Sequence, residues 1–153
     1  MYNRHEISKE EHLAWWARTS QRTDQLYFMY ENEGQPLGIV GITAIDMVNG
    51  NCSWAFYASP EAPRGTGSRM EYLTLEYIFG LLKMHKLYCE VLAFNAPVLK
   101  LHKKFGFIVE GIFRQHHQIN DKHIDIYRLG LLQEEWARER VQMKNKLTAL
   151  LKG

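Results

Sequence analysis

Residues 64–69 read Arg-Gly-Thr-Gly-Ser-Arg, and residues 95–107 read Asn-Ala-Pro-Val-Leu-Lys-Leu-His-Lys-Lys-Phe-Gly-Phe. The first run follows a strand-like segment and opens a helix-like one. Its glycines let successive backbone N–H groups point at one spot, and the helix dipole adds positive charge there, so the run suits a pyrophosphate. In the second run Asn95 is a good N-cap, and Gly106 suits the left-handed residue that ends a helix. Each run alone also fits a purely structural reading.

The segments around these runs predict alternating strands and helices. Strand-like runs lie at 26–30, 37–45, 52–57, 87–94, 107–118 and 123–132. Turn residues at 32–34 and 120–122 predict two hairpins. Ser8 and Glu11 read as a capping box, which predicts a helix that fades near Ser20. This order predicts an α/β sandwich around a mixed sheet.

Two further helices follow from apolar periodicity. The helix from Gly67 places on one face Met70, Leu73, Tyr77, Ile78, Leu81 and Leu82. Glu71 and Glu76 lie off this face. The last helix, roughly 134–151, carries the apolar residues Trp136, Val141, Met143, Leu147 and Leu150.

Length and composition bound the class of protein. With 153 residues, 46% of them hydrophobic, the chain has room for one domain over 1–153, with a core at 8–132 and a C-terminal helix at 133–151. The 19 basic and 17 acidic residues nearly balance, which disfavours a nucleic-acid binder. Cys52 and Cys89 read as buried thiols in a reducing compartment. With no membrane-length apolar run and no signal peptide, we expect a cytoplasmic protein, and we assign no metal ligand.

Together, about thirty residues apart, the two opening runs resemble the acetyl-coenzyme A signatures of the GCN5-related N-acetyltransferase (GNAT) family. The first is similar to the loop Arg/Gln-x-x-Gly-x-Gly/Ala, and the second to Asn-x-x-Ala/Ser-x-x-Leu-Tyr-x-x-x-Gly-Phe. The resemblance covers about residues 11–136. It implies a GNAT fold, a mixed, mostly antiparallel sheet flanked by helices, and acetyl transfer from acetyl-CoA to an amine.

A finer likeness is to the PseH-type enzymes of pseudaminic acid biosynthesis. It is carried by residues 5–8, 11–15, 54–57 and 85–95. Those enzymes acetylate the 4-amino group of a UDP-linked 4-amino-4,6-dideoxy sugar, so the resemblance implies a nucleotide-sugar acceptor. Ribosomal-protein N-terminal acetyltransferases have similar tails, which leaves a peptide or small-amine acceptor open. A non-catalytic acetyl-CoA-binding module is a third reading.

The family resemblance implies a set of cofactor contacts. The pantetheine arm would pair with the strand end formed by Phe56, Tyr57 and Ala58, whose N–H groups would also polarise the thioester carbonyl. The pyrophosphate would be held by Arg64 and by the backbone N–H groups of Gly65, Thr66, Gly67, Ser68 and Arg69. Asn95 would bond the pantetheine arm. Lys100 and Lys103 would meet the adenosine phosphate, or else form a solvated face.

The catalytic residues are less well defined by the resemblance. His102 stands where the family has a tyrosine that protonates the departing thiolate, and it either replaces that donor or is a packed helix residue. Only about a quarter of an ordinary histidine is charged at pH 7. Alternative donors are Tyr57, Tyr88 and Tyr127. For the general base the candidates are Glu90, which interrupts an apolar strand, and Glu6.

The front of the chain departs from the family pattern. Members usually begin with a strand and a helix ahead of the helix that we predict at Glu11, and this chain has neither. We expect His5 and Glu6 near the mouth of the acceptor pocket, which those elements normally help to shape. Either the start is truncated, or a partner, most simply a second copy in a homodimer, covers the exposed sheet edge.

Overall fold

The computed structural model describes the backbone of residues 2–8, 11–16 and 23–152, and the side chains of residues 23–149. Its strands are β1 Tyr2–Ser8, β2 Glu11–Trp16, β3 Leu26–Asn32, β4 Gln35–Asp46, β5 Asn51–Ala58, β6 Lys86–Leu92, β7 Ile108–Ile119 and β8 Lys122–Leu132. Its helices are α1 Thr66–Glu76, which continues into a π-helical turn Tyr77–Leu81, α2 Ala96–Lys104 and α3 Gln133–Lys152.

One mixed sheet joins the strands in the order β1-β2-β3-β4-β5-β6-β8-β7. Six of these strands, β3 to β8, begin at or after Leu26. β5 and β6 are parallel, and the other neighbours are antiparallel. The mixed, mostly antiparallel sheet flanked by helices is therefore confirmed.

The turns of two hairpins have the same backbone conformation. Glu33 and Gly34 have φ values of 52° and 82° between β3 and β4, and Asn120 and Asp121 have 49° and 67° between β7 and β8. Two consecutive residues with positive φ match the right-handed twist of the strands that they join. The hairpins predicted at these turns are confirmed.

The helix predicted from Ser8 and Glu11 is wrong, because Ser8 ends β1 and Glu11 begins β2. β2 pairs antiparallel with β3 from Glu11↔Asn32 to Trp16↔Tyr27. A six-residue segment has little helical preference of its own, so the unpaired groups of the β3 edge decide its conformation. The β3 edge is thus paired within the chain, and β1 becomes the first edge of the sheet. The homodimer stays a prediction.

α1 is enclosed between the sheet and α3. A Cβ at Gly38 of β4 would lie 2.6 Å from the Met70 side chain, so only glycine allows α1 to approach so closely. On its other side, the rings of Tyr72 and Trp136 meet edge to face at 5.8 Å. All residues from Met70 to Leu75 are buried as a result.

Several expectations about helix faces need correction. Leu81 is 65% exposed and Val141 is 59% exposed, whereas Trp136 and Met143 are buried in the core. The Leu150 side chain lies outside the described residues. Glu71, which lies off the apolar face, is nevertheless 0% exposed, and Glu76 is half-buried in an ion pair with Arg140 (2.9 Å). Because α1 is packed on two sides, its buried residues are not confined to one apolar face.

Within the described chain, no helix is long and apolar enough to cross a membrane. The same residues contain no group of three or more candidate metal ligands.

Cys52 and Cys89 are free thiols buried in the core, and burial raises the pKa of each to about 12. Only the thiolate reacts with alkylating agents. With iodoacetamide at pH 8, we expect both cysteines of the folded protein to react more than about 100-fold more slowly than in denaturant. Intact-mass spectrometry over time measures this, and rapid modification of the folded protein would contradict the described burial.

Candidate active site

The parallel strands β5 and β6 separate halfway along their length. They pair only at Asn51↔Lys86, Cys52↔Leu87 and Ser53↔Tyr88. Beyond that point β5 stays paired with β4 and β6 stays paired with β8. The N–H and C=O groups of residues 54–58 that point away from β4 therefore have no strand partner and face a gap.

The gap is a cleft of about 450 Å³ that crosses the sheet. It is lined by Trp54, Ala55, Phe56, Tyr57, Ala58, Cys89, Glu90, Val91, Leu92, Asn95, Val98 and His102. Side chains alternate along each strand, so Trp54 and Phe56 face the helices while Tyr57 and Glu90 face the opposite side. The cleft thus connects the helical face with the other face of the sheet.

The glycine turn lies at the N-terminus of α1, beside this cleft. Gly65 precedes the helix with φ 91°, no side chain caps the helix, and its first turn holds no acidic residue. Thr66 N–H donates to the Pro63 carbonyl and Arg69 N–H to the Gly65 carbonyl, both at 3.1 Å. The first-turn donors left for a ligand are those of Gly67 and Ser68. This arrangement suits an anion.

Gly67 links the turn to the cleft. A Cβ at this position would lie 3.4 Å from Leu101 of α2 and 3.7 Å from the Phe56 ring. Both distances are ordinary contacts, so one methyl group fits and a larger side chain must project into the space between α1 and α2.

α2 presents one face to the cleft and another to solvent. Asn95 occupies the N-cap position without a side-chain capping bond, so its amide stays available in the cleft wall. Lys100 and Lys103 are both exposed, and positions three apart share one helical face. They therefore form a basic patch on α2.

His102 and Glu71 form a buried pair between α2 and α1. His102 is 3% exposed and Glu71 is 0% exposed. His102 Nδ1 lies 3.0 Å from Oε1 and 2.9 Å from Oε2 of Glu71, within hydrogen-bond distance of both oxygens. Burial raises the pKa of the Glu71 carboxyl, and the hydrogen bond and charge of His102 lower it in part.

Aromatic rings hold the imidazole of His102 in place. Its centroid lies 5.3 Å from Trp54, 6.0 Å from Phe56 and 5.2 Å from Phe107. His102 is therefore a packed residue that also lines the cleft, and the two readings left open by the sequence are not exclusive.

Glu90 lies at the other face of the cleft and is partly exposed. Its Oε2 accepts a hydrogen bond from Arg128 Nη1 at 3.0 Å, and the Arg128 guanidinium lies 3.9 Å from the centre of the Tyr88 ring. Of the three tyrosines considered as donors, Tyr57 lines the cleft, whereas Tyr88 and Tyr127 are not among its lining residues.

The structure thus gathers around one cleft the predicted residues Phe56, Tyr57, Ala58, Glu90, Asn95 and His102. The turn from Arg64 to Arg69 flanks it, and Lys100 and Lys103 lie on the exposed face of α2. The side chains of His5 and Glu6 lie outside the described residues. Sequence reasoning missed Glu71; its only signal is that the uncharged run of residues 72–75 follows it.

A mixed sheet, two parallel strands that part over a cleft, and a glycine turn at a helix N-terminus are features of the acetyltransferase class of α/β domains. The model of the acetyltransferase (GNAT) domain matches residues 2–127, so the chain belongs to this family. The resemblance drawn from residues 64–69 and 95–107 is confirmed at the level of the family.

Individual relatives are distant. Spermidine N(1)-acetyltransferase of Escherichia coli K12 is 28% identical over 113 residues, which are 73% of this chain but only 61% of that protein. Acetyltransferase PseH of Campylobacter jejuni is 26% identical over 129 residues, 84% of this chain and 74% of that protein. The Vibrio cholerae spermidine N-acetyltransferase, solved in complex with CoA and spermine, matches with a TM-score of 0.72 at 24% identity, covering 75% of this chain and 69% of that one.

Proposed function

We propose that this protein transfers the acetyl group of acetyl-CoA to the amino group of a UDP-linked 4-amino-4,6-dideoxy sugar. The observation that carries the acetyl transfer is the cleft between β5 and β6, with the anion-binding turn beside it and a histidine in its wall. The acceptor is the finer part of the proposal and has its own argument.

The described residues fit acetyl-CoA as a co-substrate. The free N–H groups of Gly67 and Ser68 would hold the pyrophosphate, with Arg64 and Arg69 adding charge. The unpaired backbone of residues 56–58 and the Asn95 amide would bond the pantetheine arm. Lys100 and Lys103 lie on the same helix and would meet the adenosine phosphate. Each group offers donors where the ligand carries acceptors.

The reaction needs positioning and movement of one proton. The neutral acceptor amine attacks the thioester carbonyl carbon, a C–N bond forms and the C–S bond breaks. N–H groups of residues 56–58 would stabilise the negative charge on the carbonyl oxygen. His102 would protonate the sulfur, and Glu90, on the acceptor side, would take the proton that the amine loses. The products are the amide and the CoA thiol.

The charge of the cleft supports a sugar nucleotide over a polyamine. A polyamine carries several positive charges, so its site should supply several carboxylates. The described cleft lining has one exposed carboxylate, Glu90, and Arg128 already neutralises it. The match to acetyltransferase PseH also spans more of this chain than the match to the Escherichia coli spermidine enzyme.

A small polyamine is the second candidate acceptor, because spermidine acetyltransferases recur among both the sequence relatives and the solved structures. The side chains of β1 and β2, Glu6 and Glu11 among them, lie outside the described residues. The free buried thiols Cys52 and Cys89 support a reducing compartment, the cytoplasm, for either reaction.

Turnover with a panel of amines tests the proposal. CoA thiol release is followed with acetyl-CoA and one of three acceptors: the UDP-linked 4-amino sugar, spermidine, or a short peptide with a free N-terminus. We expect kcat/KM for the sugar to exceed the others by about 100-fold or more. Higher kcat/KM for spermidine would overturn the acceptor. Binding of acetyl-CoA without turnover of any amine would indicate the non-catalytic module instead.

A further inference from the structure

Two carboxylates lie near the cleft, and only one is explained by the proposed function. Glu90 is exposed and already neutralised by Arg128. Glu71 is fully buried, and its only partner in the described structure is His102 Nδ1, which lies within 3.0 Å of both of its oxygens. No cation other than His102 is in reach to account for a carboxylate at this depth among the described residues.

We propose that Glu71 is a positioning residue for acetyl transfer, holding the Nδ1–H of His102 so that Nε2 is the nitrogen presented to the cleft. This inference rests on the proposed function, since it assigns the atom through which His102 acts. His102 lines the cleft, and its two ring nitrogens diverge, so Nε2 faces away from Glu71.

This arrangement explains how a histidine can donate the proton to the thiolate at the position where the family has a tyrosine. A neutral imidazole with its proton on Nδ1 has only a lone pair at Nε2 and cannot protonate a thiolate. In the charged ring, Nδ1–H bonds to Glu71, and Nε2–H, turned toward the cleft, is the acid. As that bond breaks and S–H forms, its electron pair stays on Nε2. Glu90 takes the proton that the amine loses and releases it to solvent, and His102 takes up a proton from solvent through the cleft, so protons balance over one turnover.

A purely structural role is the competing explanation, in which the pair only ties α1 to α2. A purely structural contact does not need an ion pair, because apolar residues of similar volume usually stabilise a buried contact equally well. The rings of Trp54 and Phe56 from β5, and of Phe107 from the segment between α2 and β7, already pack against the imidazole. The thiol of Cys89 is the other titratable group at the pair, and its pKa of about 12 keeps it neutral.

A double-mutant cycle separates the two roles. Glu71→Gln keeps the shape and an acceptor but removes the charge. We expect it to lower kcat by about 10- to 1000-fold, no more than the loss of His102 itself, with the KM for acetyl-CoA unchanged. In the His102→Phe background the same change should cost nothing further. Equal losses in both backgrounds would mean that Glu71 does not act through His102. The matched control is Glu76→Gln. Glu76 is a half-buried glutamate of α1 paired with Arg140, and its substitution should leave kcat unchanged.

Nitrogen-15 NMR of the His102 ring tests the geometry without any activity. In the neutral ring of the wild type, the proton should be on Nδ1 and Nε2 should be bare. A neutral ring with its proton on Nε2 and a bare Nδ1 would overturn the inference. If no amine is acetylated, the proposed function fails while this spectrum still decides how Glu71 holds the ring.

Discussion

Gly67→Glu should abolish detectable binding of acetyl-CoA. The Cβ at position 67 would contact Leu101 and the Phe56 ring, so a longer side chain projects into the space between α1 and α2, beside the first-turn N–H groups of α1. There its carboxylate would occupy the pyrophosphate position and repel the remaining phosphates. Two like charges at about 4 Å in a medium of effective dielectric 20 cost about 4 kcal/mol, which is on the order of 1000-fold in affinity.

Two substitutions at the same position separate charge from bulk. Gly67→Ala adds one methyl group at an ordinary contact distance and replaces a helical glycine, so it should bind acetyl-CoA about as well as the wild type. Gly67→Gln has the length of glutamate without its charge and should lose less affinity. Isothermal titration calorimetry on folded variants measures all three. Wild-type affinity in Gly67→Glu would mean that the pyrophosphate binds elsewhere.

His102→Phe should lower kcat by roughly 10- to 1000-fold with little change in the affinity for acetyl-CoA, as expected for a lost general acid. Phenylalanine can occupy the space among Trp54, Phe56 and Phe107 but offers no proton at the cleft. His102→Tyr should keep kcat within about tenfold of the wild type, because a phenol restores the donor of the family pattern. Steady-state kinetics with the working acceptor is the measurement.

Stability must be controlled in this series, because His102→Phe leaves Glu71 buried without a partner. Breaking a buried ion pair on one side typically costs about 3–5 kcal/mol. His102→Gln retains an N–H donor for Glu71 but has no acidic proton, so it should lose as much activity as phenylalanine with a smaller fall in Tm. A kcat within about twofold of the wild type in both variants would remove His102 from the mechanism and favour Tyr57 as the donor.

The sequence by itself determined the family and the places where the chain turns. Glycines at 65 and 67, the N-cap Asn95 and the turn residues 33–34 and 120–121 report on local backbone conformation, which neighbouring residues decide. The tertiary structure kept these turns, whereas the capping-box signal of Ser8 and Glu11 was overridden by strand pairing. The class of protein therefore followed from residues 64–69 and 95–107 before any contact was known.

Only the tertiary structure decided the conformation of residues 11–16 and the surroundings of Glu71. The conformation of residues 11–16 depends on the edge of β3, which offers hydrogen-bond partners to them. Their own sequence does not decide between helix and strand. The surroundings of Glu71 depend on a residue 31 positions away. Periodicity tells which face of a helix is apolar, but α1 is enclosed by the sheet on one side and α3 on the other, so its polar face is buried too. A carboxylate in that position needs a partner, and the packing of α2 against α1 brings His102 to it.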